Sequence, residues 1–145
     1  MKEFFMNIKL VYGTKTSHSR KLAENIAREL NIEAQNIANC PHFENVDLLF
    51  LAGGIYGGES LPQMLEYVKL IDETQVKNAA LITSCVSKKM YQESVRRALL
   101  DKGIQVVDEF VCQGSFLFFG LGHPNKKDID SAVAFARTTI EKLSS

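Results

Sequence analysis

The chain predicts an α/β fold in three layers: a parallel sheet of five strands covered by helices on both faces. Two observations carry this. Apolar, β-rich runs alternate along the chain with segments that are apolar on one helical face. The two central runs, "VDLLFLAGG" (46–54) and "NAALITS" (78–84), are apolar without alternation. That is the mark of strands buried on both sides of a parallel sheet.

The first strand is "MNIKLVYG" (6–13), bounded by Gly13, and residues 19–30 are a helix with Leu22, Ala23, Ile26, Ala27 and Leu30 on one face. "IEAQNI" (32–37) is a short extended stretch, and "NCPHFENVD" leaves little room for a full helix. The strand at 46–54 is ended by Gly53 and Gly54, and a helix over 62–71 has Pro62 in its first turn, where proline is suited. After the strand at 78–84 a helix runs from about 90 to 102 and is ended by Gly103. "IQVVDEFVC" (104–112) is the fifth strand. The loop "QGSFLFFGLGHP" leads to a last helix with Ile129, Ala132, Val133, Ala136, Ile140 and Leu143 on one face.

Five strands in 145 residues suit one domain, 1–145, burying about two-thirds of its surface. Lysine plus arginine equals aspartate plus glutamate at 17 each, so no strong field favours nucleic acid or a membrane surface. The N-terminal apolar stretch is too short for a signal peptide, and no segment is expected to span a bilayer. Three widely spaced cysteines without C-x-x-C argue against a disulfide framework or a zinc site and fit a reducing cytoplasm. His18, His42 and His123 are scattered, so metal-ligand spacing is missing.

In such a sheet a ligand lies outside the carboxyl ends of the strands, at the switch point in strand order. The candidate segments are 13–19, 53–61, 84–90 and 112–124. The first turns from strand to helix through Thr14, Thr16, Ser17 and Ser19, four hydroxyls in six positions, where a helix cap needs one. A helix N-terminus already favours an anion, and the hydroxyls add neutral donors for a phosphate. The first strand is not followed by G-x-G-x-x-G, and no G-x-x-x-x-G-K-[ST] occurs anywhere. Strand ends reading "VYGT" and "LAGG" lack the acids of a receiver domain, and no cysteine begins a Cys-x5-Arg loop. What remains is a phosphate-bearing small molecule with an aromatic or apolar body. "GGIYGGESLP" (53–62) suits that body, with glycines for close approach and Tyr56 to lie against a planar face.

These residues resemble a flavodoxin over essentially the whole chain. "GTKTSHS" is similar to the phosphate loop, which would place Thr14, Lys15, Thr16, Ser17, His18 and Ser19 around the phosphate of FMN. "GGIYGG" is similar to the second flavin loop and carries over Gly53, Gly54, Ile55, Tyr56 and Gly57. Ser84, Cys85 and Val86 are assigned to the third flavin loop by position only, and Tyr91 is expected inside the helix after that loop. The resemblance implies a flavodoxin-like sandwich with strand order 2-1-3-4-5. Three departures stand out: Ser17 replaces the usual glycine of the phosphate loop, "SCVSKKMYQ" lacks the usual acid, and the chain is neutral where flavodoxins are strongly acidic.

The function the resemblance implies is an FMN-binding electron carrier that passes one or two electrons between a reductase and an acceptor protein. It would be cytoplasmic and a monomer or weak dimer. The Tyr56–Gly57 peptide would turn its carbonyl toward the flavin N5–H, and Lys88 and Lys89 would favour an anionic reduced flavin. Two alternatives stay open. One is a small FMN-dependent oxidoreductase passing electrons from NAD(P)H to a quinone, with Phe116, Phe118 and Phe119 as an apolar lid. The other is a binding module of the same fold that has lost its flavin.

Overall fold

A computed structural model describes residues 6–13, 17–56, 59–85, 91–113 and 126–144. Along the chain come β1 (Ile8–Tyr12), α1 (Ser17–Leu30), β2 (Ala34–Asn36), a 3-10 turn (Ile37–Asn39), β3 (Val46–Tyr56) and β4 (Glu59–Ser60). After them come α2 (Pro62–Val68), β5 (Val76–Cys85), α3 (Glu93–Asp101), β6 (Gln105–Gln113) and α4 (Lys126–Ser144). The main sheet runs β2-β1-β3-β5-β6, every pair parallel, and β4 pairs antiparallel with the end of β3. Counting only the parallel strands, the order is 2-1-3-4-5, as expected. Strand order therefore reverses between β1 and β3.

Each face of the sheet has its own core, because side chains alternate along a strand. Leu10, Tyr12, Leu48, Phe50, Ala52, Ala80 and Ile82 face α1 and α4, meeting Leu22, Ala23, Ile26, Ala132, Val133 and Ala136. Val11, Leu49, Leu51, Ala79 and Leu81 face α2 and α3, meeting Met64, Tyr67, Val68, Val95 and Leu99. Among the described residues no helix is long and apolar enough to cross a membrane.

Several boundaries differ from expectation, each for a local reason. Gly53 and Gly54 do not end β3, because Ile55 and Tyr56 continue it by pairing with Ser60 and Glu59 of β4. The extended stretch near 32–37 shortens to three residues because the Asn36 side chain accepts from the Ala38 N–H and starts the 3-10 turn. The helix predicted over 62–71 stops at Val68, and Ile71 folds back into the core. Gly103 does end the α3 segment, with φ +81, the left-handed conformation suited to glycine after a helix. Tyr91 stands ahead of α3 rather than inside it. Gln92 is the N-cap, its own N–H donates away from the helix to Glu109 Oε2 at 2.8 Å, and the Arg96 N–H returns to the Gln92 carbonyl.

An irregularity in β6 decides where two acidic side chains point. Ala79 pairs with Val106 but Ala80 pairs with Asp108, so Val107 is an extra residue in β6. A bulge of one residue exchanges the faces of every side chain beyond it. Glu109 thereby comes opposite Leu81 and faces α3. Asp108 comes opposite Ala80 and faces α4, where Lys142 Nζ donates to it at 2.9 Å. Partial burial works against the charge on Asp108. The hydrogen bonds from Lys142 and from the Glu109 N–H outweigh it and hold the carboxyl below its ordinary range.

Candidate functional site

The carboxyl ends of β1, β3 and β5 form one edge of the sheet. Tyr12 pairs with Ala52, Gly13 N–H adds a bond to Ala52 O at 3.0 Å, and Gly54 pairs with Ser84. The first, second and third candidate segments therefore begin side by side, at the reversal of strand order. α1 starts at the same edge with Ser17, and it has no acidic residue in its first turn to neutralise its positive end. Such an edge suits an anion next to a flat ligand body.

Ser17, the residue standing where a phosphate loop usually has glycine, opens α1. Its backbone is helical, a conformation open to any L-residue, so the substitution calls for no left-handed turn there. His18 and Ser19 come next in the first turn of α1. Gly53, Gly54, Ile55 and Tyr56 are the last residues of β3, and Ser84 and Cys85 the last of β5. Thr14, Lys15, Thr16, Gly57 and Val86 lie outside the described residues, as do Lys88, Lys89, Phe116, Phe118 and Phe119. The structure thus brings together Gly13, the end of β3 and Ser84–Cys85, with Ser17 following Gly13 by four residues at the start of α1.

The glycine at 53 has a reason other than ligand approach. A Cβ there would stand 3.3 Å from both Gln92 Oε1 and Met64 Cε, on the α2 and α3 side of the sheet. Ile55 is likewise buried, at 5% exposure, so its contribution at this edge is backbone and packing. Tyr91 is the opposite case: its ring is 55% exposed at the exit of the third segment. Cys40 is exposed and Cys112 buried.

Beneath the edge lies a buried polar cluster that the sequence pattern did not single out. The Glu109 side chain is 1% exposed. Its Oε2 accepts from Thr83 Oγ1 at 2.6 Å and from the Gln92 N–H at 2.8 Å, and its Oε1 accepts from Arg96 Nη2 at 2.9 Å. Gln92 Nε2 donates to Thr83 Oγ1 at 2.9 Å. A signal was present: two adjacent acids, Asp108 and Glu109, sit inside an otherwise apolar strand, and at least one had to turn inward.

Residues 9–129 match the flavodoxin domain family, most of the chain. The chain belongs to that family. This flavodoxin-family protein is 32% identical over 136 residues to an uncharacterised protein of Methanocaldococcus jannaschii, covering 86% of this chain and 91% of that one. Among solved structures it is similar to the rubredoxin:oxygen oxidoreductase of Desulfovibrio gigas, with TM-score 0.76 and 12% identity over 94% of this chain; it spans 36% of that enzyme's length. An archaeal flavodoxin matches with TM-score 0.66 and 12% identity, covering 94% of this chain and 99% of that one. A Lactobacillus acidophilus flavoprotein solved with FMN matches with TM-score 0.53 and 10% identity, covering 74% and 93%. At these identities the solved structures speak for the fold, whereas the family match covers all four candidate segments as well.

The donor set fits a flavin mononucleotide. The helix N-terminus carries no acid of its own, the adjoining loop sequence supplies hydroxyls together with Lys15, and an exposed aromatic stands at the third segment.

Proposed function

We propose that this flavodoxin-family protein binds FMN at the carboxyl edge of its sheet and serves as an electron carrier between a reductase and an acceptor protein in the cytoplasm. The observation that carries the reading is the adjacency of Gly13 after β1, Gly54 at the end of β3 and Ser84 at the end of β5, with α1 beginning four residues after Gly13 at Ser17. Bound FMN supplies one- and two-electron chemistry, which the protein tunes.

The chain's own residues divide the work. Ser17, His18, Ser19 and the hydroxyls of Thr14 and Thr16 hold the phosphate, using α1 N–H groups that have no partner within the helix. Tyr56 and Gly57 cover one side of the ring system and Ser84, Cys85 and Val86 border the other, with Tyr91 as an aromatic wall at the exit of that segment. Glycine at 57 would let the Tyr56–Gly57 peptide turn toward a bound flavin, because glycine tolerates positive φ at little cost. Lys88 and Lys89 add positive charge beside the reduced ring.

The carrier reading is tested by assaying FMN-loaded protein alone for NAD(P)H oxidation with a quinone, then repeating the assay with a flavodoxin reductase and cytochrome c added. A carrier is nearly inert in the first assay and raises cytochrome reduction in the second. Sustained turnover in the first assay contradicts it and makes the protein an oxidoreductase in its own right.

A further inference from the structure

We propose that Glu109 is a positioning residue for the flavin edge: its buried carboxylate holds the Gln92 N–H and so sets where Tyr91 stands before FMN arrives. This rests on the proposal that the strand edge binds FMN.

The geometry is specific. Three donors from separate places converge on one carboxylate: the Thr83 hydroxyl from the end of β5, the Gln92 N–H from the N-cap of α3, and the Arg96 guanidinium one turn on. Gln92 comes immediately after Tyr91, so the bond to its N–H fixes where the third loop ends. The carboxylate also stands at the positive end of α3, where negative charge is favoured. Glu109 reaches this place only because Val107 is extra in β6; with regular pairing, Glu109 would lie opposite Ile82 and face α4. Parallel strands seldom carry bulges, and bulges beside sites re-aim side chains.

Stability alone does not account for the arrangement. A buried ion pair is often no more stabilising than apolar side chains of the same volume. The cluster even carries an unpaired group. Glu109 in its charged form accepts only, so the Thr83 hydroxyl gives it its one proton and can only accept from Gln92. That turns Gln92 Nε2 toward Thr83 and Oε1 toward Gly53, where Oε1 is buried and without a hydrogen-bond partner among the described residues. The amide orientation is dictated by the network, and an unsatisfied buried acceptor is destabilising. What the cluster achieves is position: β5 through Thr83, β6 through Glu109 and the start of α3 through Gln92 and Arg96 are held in one geometry. A binding residue already in place costs less ordering at the moment of binding.

The test compares Glu109→Met, Glu109→Gln and, as a control, Val95→Ala, which opens a cavity on α3 at a side chain that takes no part in the cluster's hydrogen bonds. FMN affinity and the exchange rate of the Gln92 amide in FMN-free protein are measured for each. Glu109→Met is expected to weaken FMN about tenfold or more, the scale of a hydrogen bond to a charged group, and to speed Gln92 exchange by a similar factor. Glu109→Gln keeps an oxygen for Thr83 and Gln92 and is expected to restore most of both. Val95→Ala is expected to lower the melting temperature and leave FMN affinity alone. Unchanged affinity in Glu109→Met, or equal loss in Val95→Ala, overturns the proposal. If Glu109→Met does not fold, Thr83→Val takes its place, with Thr83→Ser as the rescue; unchanged affinity there overturns it equally. Wild-type protein that takes up no FMN overturns the flavin reading. The exchange arm needs no FMN: it supports the anchor if Glu109→Met releases Gln92, and overturns it if Gln92 stays protected.

Discussion

Gly13 donates its N–H to the carbonyl of Ala52 at 3.0 Å, the last ladder bond between β1 and β3 before the first loop departs. The bond brings Gly13 hard against Ile37: a Cβ at position 13 would stand 2.5 Å from Ile37 Cδ1 and 3.1 Å from Leu61 Cδ2. Gly13→Ala is therefore expected to cost about 1–3 kcal/mol of stability through overpacking. Ile37→Val removes the atom in the way, so the double variant should regain part of that loss. Urea denaturation of the four proteins in the cycle measures the coupling.

Tyr67 ties α2 to the turn before β3. Its hydroxyl is buried and donates to the Pro41 carbonyl at 2.7 Å. Burial, with a smaller contribution from the Cys40 thiolate, pushes its pKa up to about 12. The folded value lies above the unfolded one, so the stabilisation is fully present below about pH 10 and is lost as pH rises through the folded value. Phenolate absorbance should show a step for Tyr67 well above the ordinary tyrosine range. Tyr67→Phe should remove that step and cost about 1 kcal/mol at neutral pH.

At the other end of the pH scale, the bond from Lys142 helps hold Asp108 below the ordinary carboxyl range. A depressed folded value means stability that is present above the unfolded pKa and lost as pH falls through the folded one. Both side chains are about half exposed, so the pair is worth less than about 1 kcal/mol and weakens in salt. Lys142→Met should move the Asp108 titration midpoint upward, read by carboxyl-carbon NMR, with little change in melting temperature.

Tyr91 offers a test of the site that spares the fold. Its ring is more than half exposed, so Tyr91→Ala should leave thermal stability within about 0.5 kcal/mol of wild type. If the ring lies against the flavin, FMN affinity should drop by about tenfold, from lost aromatic contact and area. Equal affinity in both proteins would remove Tyr91 from the site.

How much of the fold and the site was legible in the sequence depends on what each residue's pattern encodes. The unbroken apolar runs of β3 and β5 announced central parallel strands, and the strand order came from the resemblance to flavodoxins. Gly103 announced the end of α3 because its left-handed φ is a local demand. Gly53 and Gly54 misled, since whether a glycine ends a strand depends on a partner, here β4, that local pattern does not show. The bulge at Val107 was invisible because "VVDEFV" reads equally well in either register. With the bulge went Glu109, and with Glu109 the reason that Tyr91 stays outside α3. Contacts between residues distant in the chain decided the bulge and the place of Tyr91, whereas β4 lies only three to five residues beyond its partners in β3.

The central claim is that the strand edge carrying Ser17, Gly54 and Ser84 is an FMN site, and titration of FMN with purified, flavin-free protein tests it most directly. The account predicts quenched flavin fluorescence and a shifted flavin absorbance band. Saturation should come at one FMN per chain, with Kd at or below about 1 μM, some 8 kcal/mol of binding free energy. Flavin fluorescence and absorbance unchanged at a large excess of folded protein would contradict it.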